Sequence, residues 1–154
     1  MNRQHLAKAA LACALAVAAA GAIAADPPPG DRAIEYRQNV FGLVGWNFSA
    51  MSQMVRGQRD WDAAEFTRRA ERVAALSKML DEGFSPGSDK GADTEALPAI
   101  WANLDDFNAK MADFGREADA LAAAARAGDV DATKAQFAKT GGTCKACHDE
   151  YKAD

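Results

Sequence analysis

The stretch PAIWANLDDFNAKMADFGREADALAAAARAG, residues 98–128, decides the fold class. Ile100, Leu104, Phe107, Met111, Phe114, Ala118, Leu121 and Ala125 recur at alternating steps of four and three. That rhythm places every one of them on a single stripe of an α-helix, as a sustained heptad seam. Pro98 suits the first helical turn and Gly128 a left-handed stop, so the pattern predicts a helix over 98–127. A helix with one apolar stripe needs other helices to cover it.

Three more segments of the same kind lie around it. Residues 31–57 carry Ile34, Phe41, Val44, Phe48, Met51 and Val55 on one stripe, with Asp31 as an N-cap and Gly57 as a stop. Residues 62–82 open with Asp62-Ala63-Ala64-Glu65, which has the form of a capping box. Phe66, Val73, Leu76 and Leu80 form that stripe, and Gly83 ends it. The last helix starts at Asp129 or Asp131 and runs to about 152. It carries Val130, Phe137, Cys144, His148 and Tyr151 along one side. No stretch alternates with period two, so no strand is predicted. One long connection, Phe84 to Leu97, is rich in Gly, Ser, Asp and Pro. The reading is an all-α, antiparallel, up-down-up-down four-helix bundle.

The final helix carries Cys144-Lys145-Ala146-Cys147-His148, a C-x-x-C-H run. This is the spacing for covalent attachment of haem c. Two thiols reach the two vinyl groups, and the adjoining imidazole becomes an axial ligand to iron. A zinc site needs about four ligands, and a redox C-x-x-C expects a βαβ setting; the chain offers neither. One haem c is therefore expected, held by Cys144 and Cys147, with His148 on the metal.

Residues 1–24 read as a secretory signal peptide. Arg3 and Lys8 supply the positive start, Ala9 to Ala24 the apolar core, and Ala22-Ile23-Ala24 a small-x-small cleavage site. The apolar run, about 17 residues, is at the lower limit for a membrane span, and Asp26-Pro27-Pro28-Pro29 follows it. Cleavage leaves one domain, 25–154, with no membrane insertion and with export to a periplasm. Cys13 and His5 leave with the peptide. His148 is then the only histidine, and a second histidine ligand is excluded. Losing Arg3 and Lys8 makes the chain two charges more negative than its full-length −4. Such an acidic protein, without basic runs, is a poor fit for nucleic acid or anionic membranes.

Tyr36-Arg37-Gln38-Asn39-Val40-Phe41 resembles the opening of cytochromes c′. The resemblance continues through Met51, Val55-Arg56-Gly57-Gln58, Trp61-Asp62-Ala63-Ala64, Phe84-Ser85-Pro86-Gly87, Pro98-Ala99-Ile100-Trp101, Ala127-Gly128-Asp129, and Cys144 to Tyr151. Cytochromes c′ are themselves up-down-up-down bundles. The resemblance implies a homodimer with five-coordinate, high-spin haem that binds NO and CO and can exchange electrons with a redox partner. It implies that Arg37, near a propionate, and Gln38 contact the haem, and that Thr94 and Glu95 lie along its edge. It also makes position 41 the cap over the open face of the iron. Many family members have Leu there; this chain has Phe41, which cannot coordinate iron. Lys152 stands where the family often has Arg.

From the residues alone, Arg37 is either a solvated side chain or one that seeks a buried anion, and Phe41 either a cap or ordinary core. Met51, Met54, Met79 and Met111 are the candidate ligands for the alternative, a low-spin Met/His electron carrier. An enzymatic role such as a peroxidase finds no distal acid–base group. Gly42, Gly45 and Ser49 form a small-residue strip on the first helix, and neighbouring Trp46 is either an interface anchor or core.

Overall fold

The computed structural model describes residues 29–153; the signal-peptide reading of 1–24 lies outside them. The helices are α1 (Pro29–Val55), α2 (Ala63–Leu76), the short α3 (Ala99–Ala102), α4 (Leu104–Ala127) and α5 (Val130–Tyr151), with a 3-10 turn at Asp81–Phe84. The four long helices form the expected bundle. Cross-links show antiparallel neighbours: Glu71 of α2 pairs with Arg126 of α4, and Lys78, in the turn after α2, with Asp119, while Gln136 and Tyr151 of α5 reach Glu117 and Asp106 of α4. Among the described residues there is no strand. One isolated antiparallel bridge joins Ala96 to Lys152. No helix among them is long and apolar enough to cross a membrane.

The local punctuation follows the sequence. The Asp62 carboxylate accepts from the Glu65 N–H at 2.8 Å, and the Asp129 carboxylate from the Ala132 N–H at 3.0 Å. Each satisfies a donor that the first helical turn leaves free. Gly128 closes α4 at φ +81, a backbone region open to glycine at little cost.

Four readings need correction. The buried face of α1 is Ile34, Arg37, Val40, Val44, Asn47, Met51 and Met54. Phe41, Phe48 and Val55 flank this face instead of forming it. A stripe drawn through apolar residues alone skips Arg37 and Asn47, which are buried and hydrogen-bonded. Asp31 is no N-cap: it lies within α1, and its carboxylate accepts from the Ala92 N–H at 2.7 Å. α2 stops at Leu76, not near 82, with the Ser77 hydroxyl donating back to the Ala74 carbonyl at 2.8 Å. Leu80 keeps its apolar spacing and is fully buried, but from a turn. The predicted third helix is interrupted at Asn103 (φ −137, ψ 48), which splits α3 from α4.

The core falls into two clusters. The larger includes Val44, Met51, Phe66, Val73, Phe114, Leu121 and Phe137, and Cys144 packs against it. The smaller is Ile100, Phe107 and Tyr151, with Phe84, Trp101, Met111 and Cys147 against it. Met111 touches both. The smaller cluster lies at the end where α1 begins and α5 finishes.

Gly83 shows how tightly that end is closed. A Cβ there would sit 2.4 Å from the Arg37 Cβ. Gly83→Ala is expected to destabilise the protein by about 1–3 kcal/mol through overpacking. Urea unfolding of the two holoproteins measures the loss; equal midpoints would refute the close approach.

Candidate haem-binding site

Cys144 and His148 stand one turn apart on α5, with Cys147 between them. Both thiols are half-buried, each against a different core cluster. Burial pushes both thiols above their ordinary pKa; for Cys147 the nearby Lys110 works in the opposite direction. They are therefore held as neutral thiols. His148 is exposed, yet neighbouring atoms strip enough water from its ring to lower its pKa, and Lys152 adds to the effect while Asp149 and Glu95 oppose it. The neutral imidazole, the form that ligates a metal, is favoured. Among the described residues no three His, Cys, Asp or Glu side chains gather as a metal site. A single imidazole beside two spaced, neutral thiols thus fits a metal that arrives with its other ligands in place, as iron does in a porphyrin.

The end of α5 is fixed from two sides. The Tyr151 hydroxyl donates to the Asp106 carboxylate at 2.6 Å, and Lys110 pairs with Glu150 at 3.1 Å, both against α4. On the other side the Leu97 N–H donates to the Tyr151 carbonyl at 3.0 Å, and the Ala153 N–H to the Glu95 carbonyl at 2.8 Å. These bonds bring Thr94 and Glu95 beside the helix that carries His148. The Glu95 carboxylate also pairs with Lys152 at 2.9 Å.

Arg37 organises the opposite wall. It is 2% exposed, which rules out the solvated reading. Its Nη1 donates to the Gly83 carbonyl at 3.0 Å and the Ser88 carbonyl at 2.9 Å, and its Nη2 to the Thr94 hydroxyl at 2.9 Å. Three of its five N–H groups are thus matched by protein. Its guanidinium lies 5.0 Å from the centroid of Phe84 and 5.5 Å from that of Trp101. Burial lowers its pKa, but an arginine stays charged. Gln38 donates to the Asp93 carbonyl at 2.9 Å. Arg37 and Gln38 of α1 are thus bonded to the loop at Thr94 and Asp93, while Glu95, next along the loop, is bonded to the end of α5.

Phe41, one turn beyond Arg37, is 36% exposed and meets Phe84 edge-on at 6.3 Å. It is not ordinary core. Phe84 and Trp101 are the residues that sequence reasoning passed over as parts of this wall. The signal was present in Phe84-Ser85-Pro86-Gly87, where an aromatic opens a turn-rich loop. Trp46 is 72% exposed and so is no core residue.

The family model described as Cytochrome C' matches residues 32–152. Cytochrome c' from Rubrivivax gelatinosus is 42% identical over 124 residues, covering 80% of this chain and 95% of its own length. Among solved structures, cytochrome c prime from Shewanella frigidimarina is similar at TM-score 0.79 and 53% identity, covering 81% of this chain and 97% of its own. A nitric oxide complex of a mutant cytochrome c prime from Alcaligenes xylosoxidans is similar at TM-score 0.75 and 36% identity, with 81% and 96% covered.

The Tyr151–Asp106 bond has a pH signature. The bond, and then burial, push the Tyr151 hydroxyl from 10.0 up to about 12. The folded state keeps a proton that the unfolded chain releases, so the stabilisation is complete below pH 10 and disappears as pH rises toward 12. Unfolding midpoints of the parent are expected to fall across that window, and Tyr151→Phe to flatten this part of the fall. Parallel curves for the two proteins would exclude the bond.

Proposed function

Because the chain belongs to the cytochrome c′ family, whose cofactor is one covalent haem c, we propose that it is a periplasmic haem protein with iron held by the protein on one side only. The open side takes small gases, NO and CO. Bound here, the haem supplies an iron that takes a diatomic ligand when reduced and passes one electron between its two oxidation states.

In this reading Cys144 and Cys147 form the thioether links and His148 is the axial ligand. Arg37, Gln38, Thr94 and Glu95 receive the polar edge of the group. Phe41 covers the open face. The observation that carries the reading is Phe41 itself: an apolar, partly exposed ring, one helical turn from the buried Arg37, in a chain whose described part has one histidine. A phenyl ring offers neither a ligand to iron nor a hydrogen bond to bound oxygen, so it favours ligands that need no such bond. The methionines support the same view. Met51 and Met54 are at 0% and 2% exposure within the larger cluster, Met111 fills the seam between clusters, and Met79 faces solvent. The nitric oxide complex of the Alcaligenes relative is a further support for gas binding.

Export by residues 1–24 gives the periplasmic setting that haem c attachment requires. A second copy of the chain is the partner that the outer face of α1 suits. Leu43 is 53% and Trp46 72% exposed there, beside the small residues Gly42, Gly45 and Ser49. A projecting Trp amid small residues is the composition of an interface anchor.

A CO-difference spectrum of the reduced holoprotein tests the reading. A saturable CO spectrum is expected. No CO spectrum, together with the far-red Met–iron band in the oxidised protein, would replace it with the Met/His electron carrier. Replacing Cys144 and Cys147 by Ser together is expected to let all haem be extracted by acidified solvent; haem retained after that extraction would refute the thioether assignment.

A further inference from the structure

We propose that Phe84 is a positioning residue for the cap at Phe41, and that Arg37 is what holds Phe84 in that position. The inference rests on the reading of Phe41 as the residue covering the open face of the haem.

One ring alone is in aromatic contact with Phe41 among the described residues. That ring is Phe84, at 6.3 Å between centroids and 75° between planes. The arrangement is a T-shaped pair, which aromatic quadrupoles favour. In the cap reading the rest of the ring faces the haem, so this pair is the aromatic contact by which the protein itself orients Phe41. A helical aromatic has two accessible χ1 wells. A contact made in only one of them biases the ring toward it.

Phe84, by contrast, is partly buried against several neighbours. Its ring is 4.7 Å from Phe107 and 6.2 Å from Trp101, and the Arg37 guanidinium lies 5.0 Å above it. Its backbone is bracketed as well, because Arg37 donates to the carbonyls of Gly83, just before it, and Ser88, four residues after it. Gly83 is pressed against the Arg37 Cβ, so the turn bearing Phe84 has no room to retreat toward α1. Phe84 is thus the more constrained ring, and Phe41 the ring that leans on it.

A ligand that must displace the cap binds only when the ring has left its favoured well. Its apparent association rate is reduced by the fraction of time that well is occupied. One aromatic pair shifts such a population by roughly two- to tenfold. Phe84 therefore sets the rate of gas entry without touching the gas.

The test is a double-mutant cycle on CO association with the reduced holoprotein, using the parent, Phe41→Leu, Phe84→Leu and the double variant. Phe84→Leu is expected to speed association about two- to tenfold in the parent and to change it little in the Phe41→Leu background. An equal factor in both backgrounds, or none in the parent, overturns the positioning role. A generally loosened fold would produce the equal factor, so the cycle separates positioning from mere stability. Phe84→Tyr keeps the ring and is expected to stay near the parent rate. Phe84→Met replaces Phe84→Leu in the cycle if the latter fails to fold. If Phe41→Leu alone leaves CO association unchanged, the cap reading itself falls; if it speeds association without coupling to Phe84, only the positioning role falls.

Discussion

The guanidinium of Arg37 leaves water when the bundle forms, and this end of the molecule is arranged around meeting that cost. Burying an unpaired cation costs several kcal/mol. No carboxylate among the described residues lies within 4 Å of Arg37. It is compensated instead by two backbone carbonyls, a hydroxyl and two aromatic faces. These partners come from positions 83, 84, 88, 94 and 101, so one side chain of α1 fixes the whole connection between α2 and α4. An apolar residue at 37 would remove the donor to the Ser88 carbonyl and leave the Gly83 carbonyl only the Ser88 hydroxyl at 3.5 Å.

The same loop is tied at its far end to α5. The Ala96–Lys152 bridge and the Glu95–Lys152 ion pair place it along the helix that carries the C-x-x-C-H run. One wall from α1 and the loop, and a second from α5 and α4, thus enclose the end of the bundle where the smaller core cluster lies. The thiols belong to different clusters, so each is anchored independently. Support from both walls suits a covalently held haem c.

Much of this was legible beforehand because it is local. Caps at Asp62 and Asp129 need only a carboxylate three residues before a free N–H, and the heptad seam of α4 needs only spacing. The haem run is likewise five consecutive residues. What escaped depends on partners distant in sequence. The buried face of α1 includes Arg37 and Asn47, and their burial follows from acceptors that no periodicity reveals. The end of α2 was hidden because Leu80 keeps helical spacing although the chain has already turned to bring Gly83 against Arg37. Phe84 stood in the turn-rich connection and Trp101 lay off the heptad stripe, and their roles arise from meeting one guanidinium.

In the proposed reading the protein holds the iron from the His148 side only, under a ring at Phe41 that cannot bind it. Electron paramagnetic resonance of the oxidised holoprotein addresses this directly, because the spin state reports the number of axial ligands. The account predicts a high-spin ferric signal that persists when Met111, the methionine at the seam of the two clusters, is replaced by Leu. A low-spin signal in the parent that turns high-spin in Met111→Leu would contradict it, since the iron would then have a second ligand from the protein.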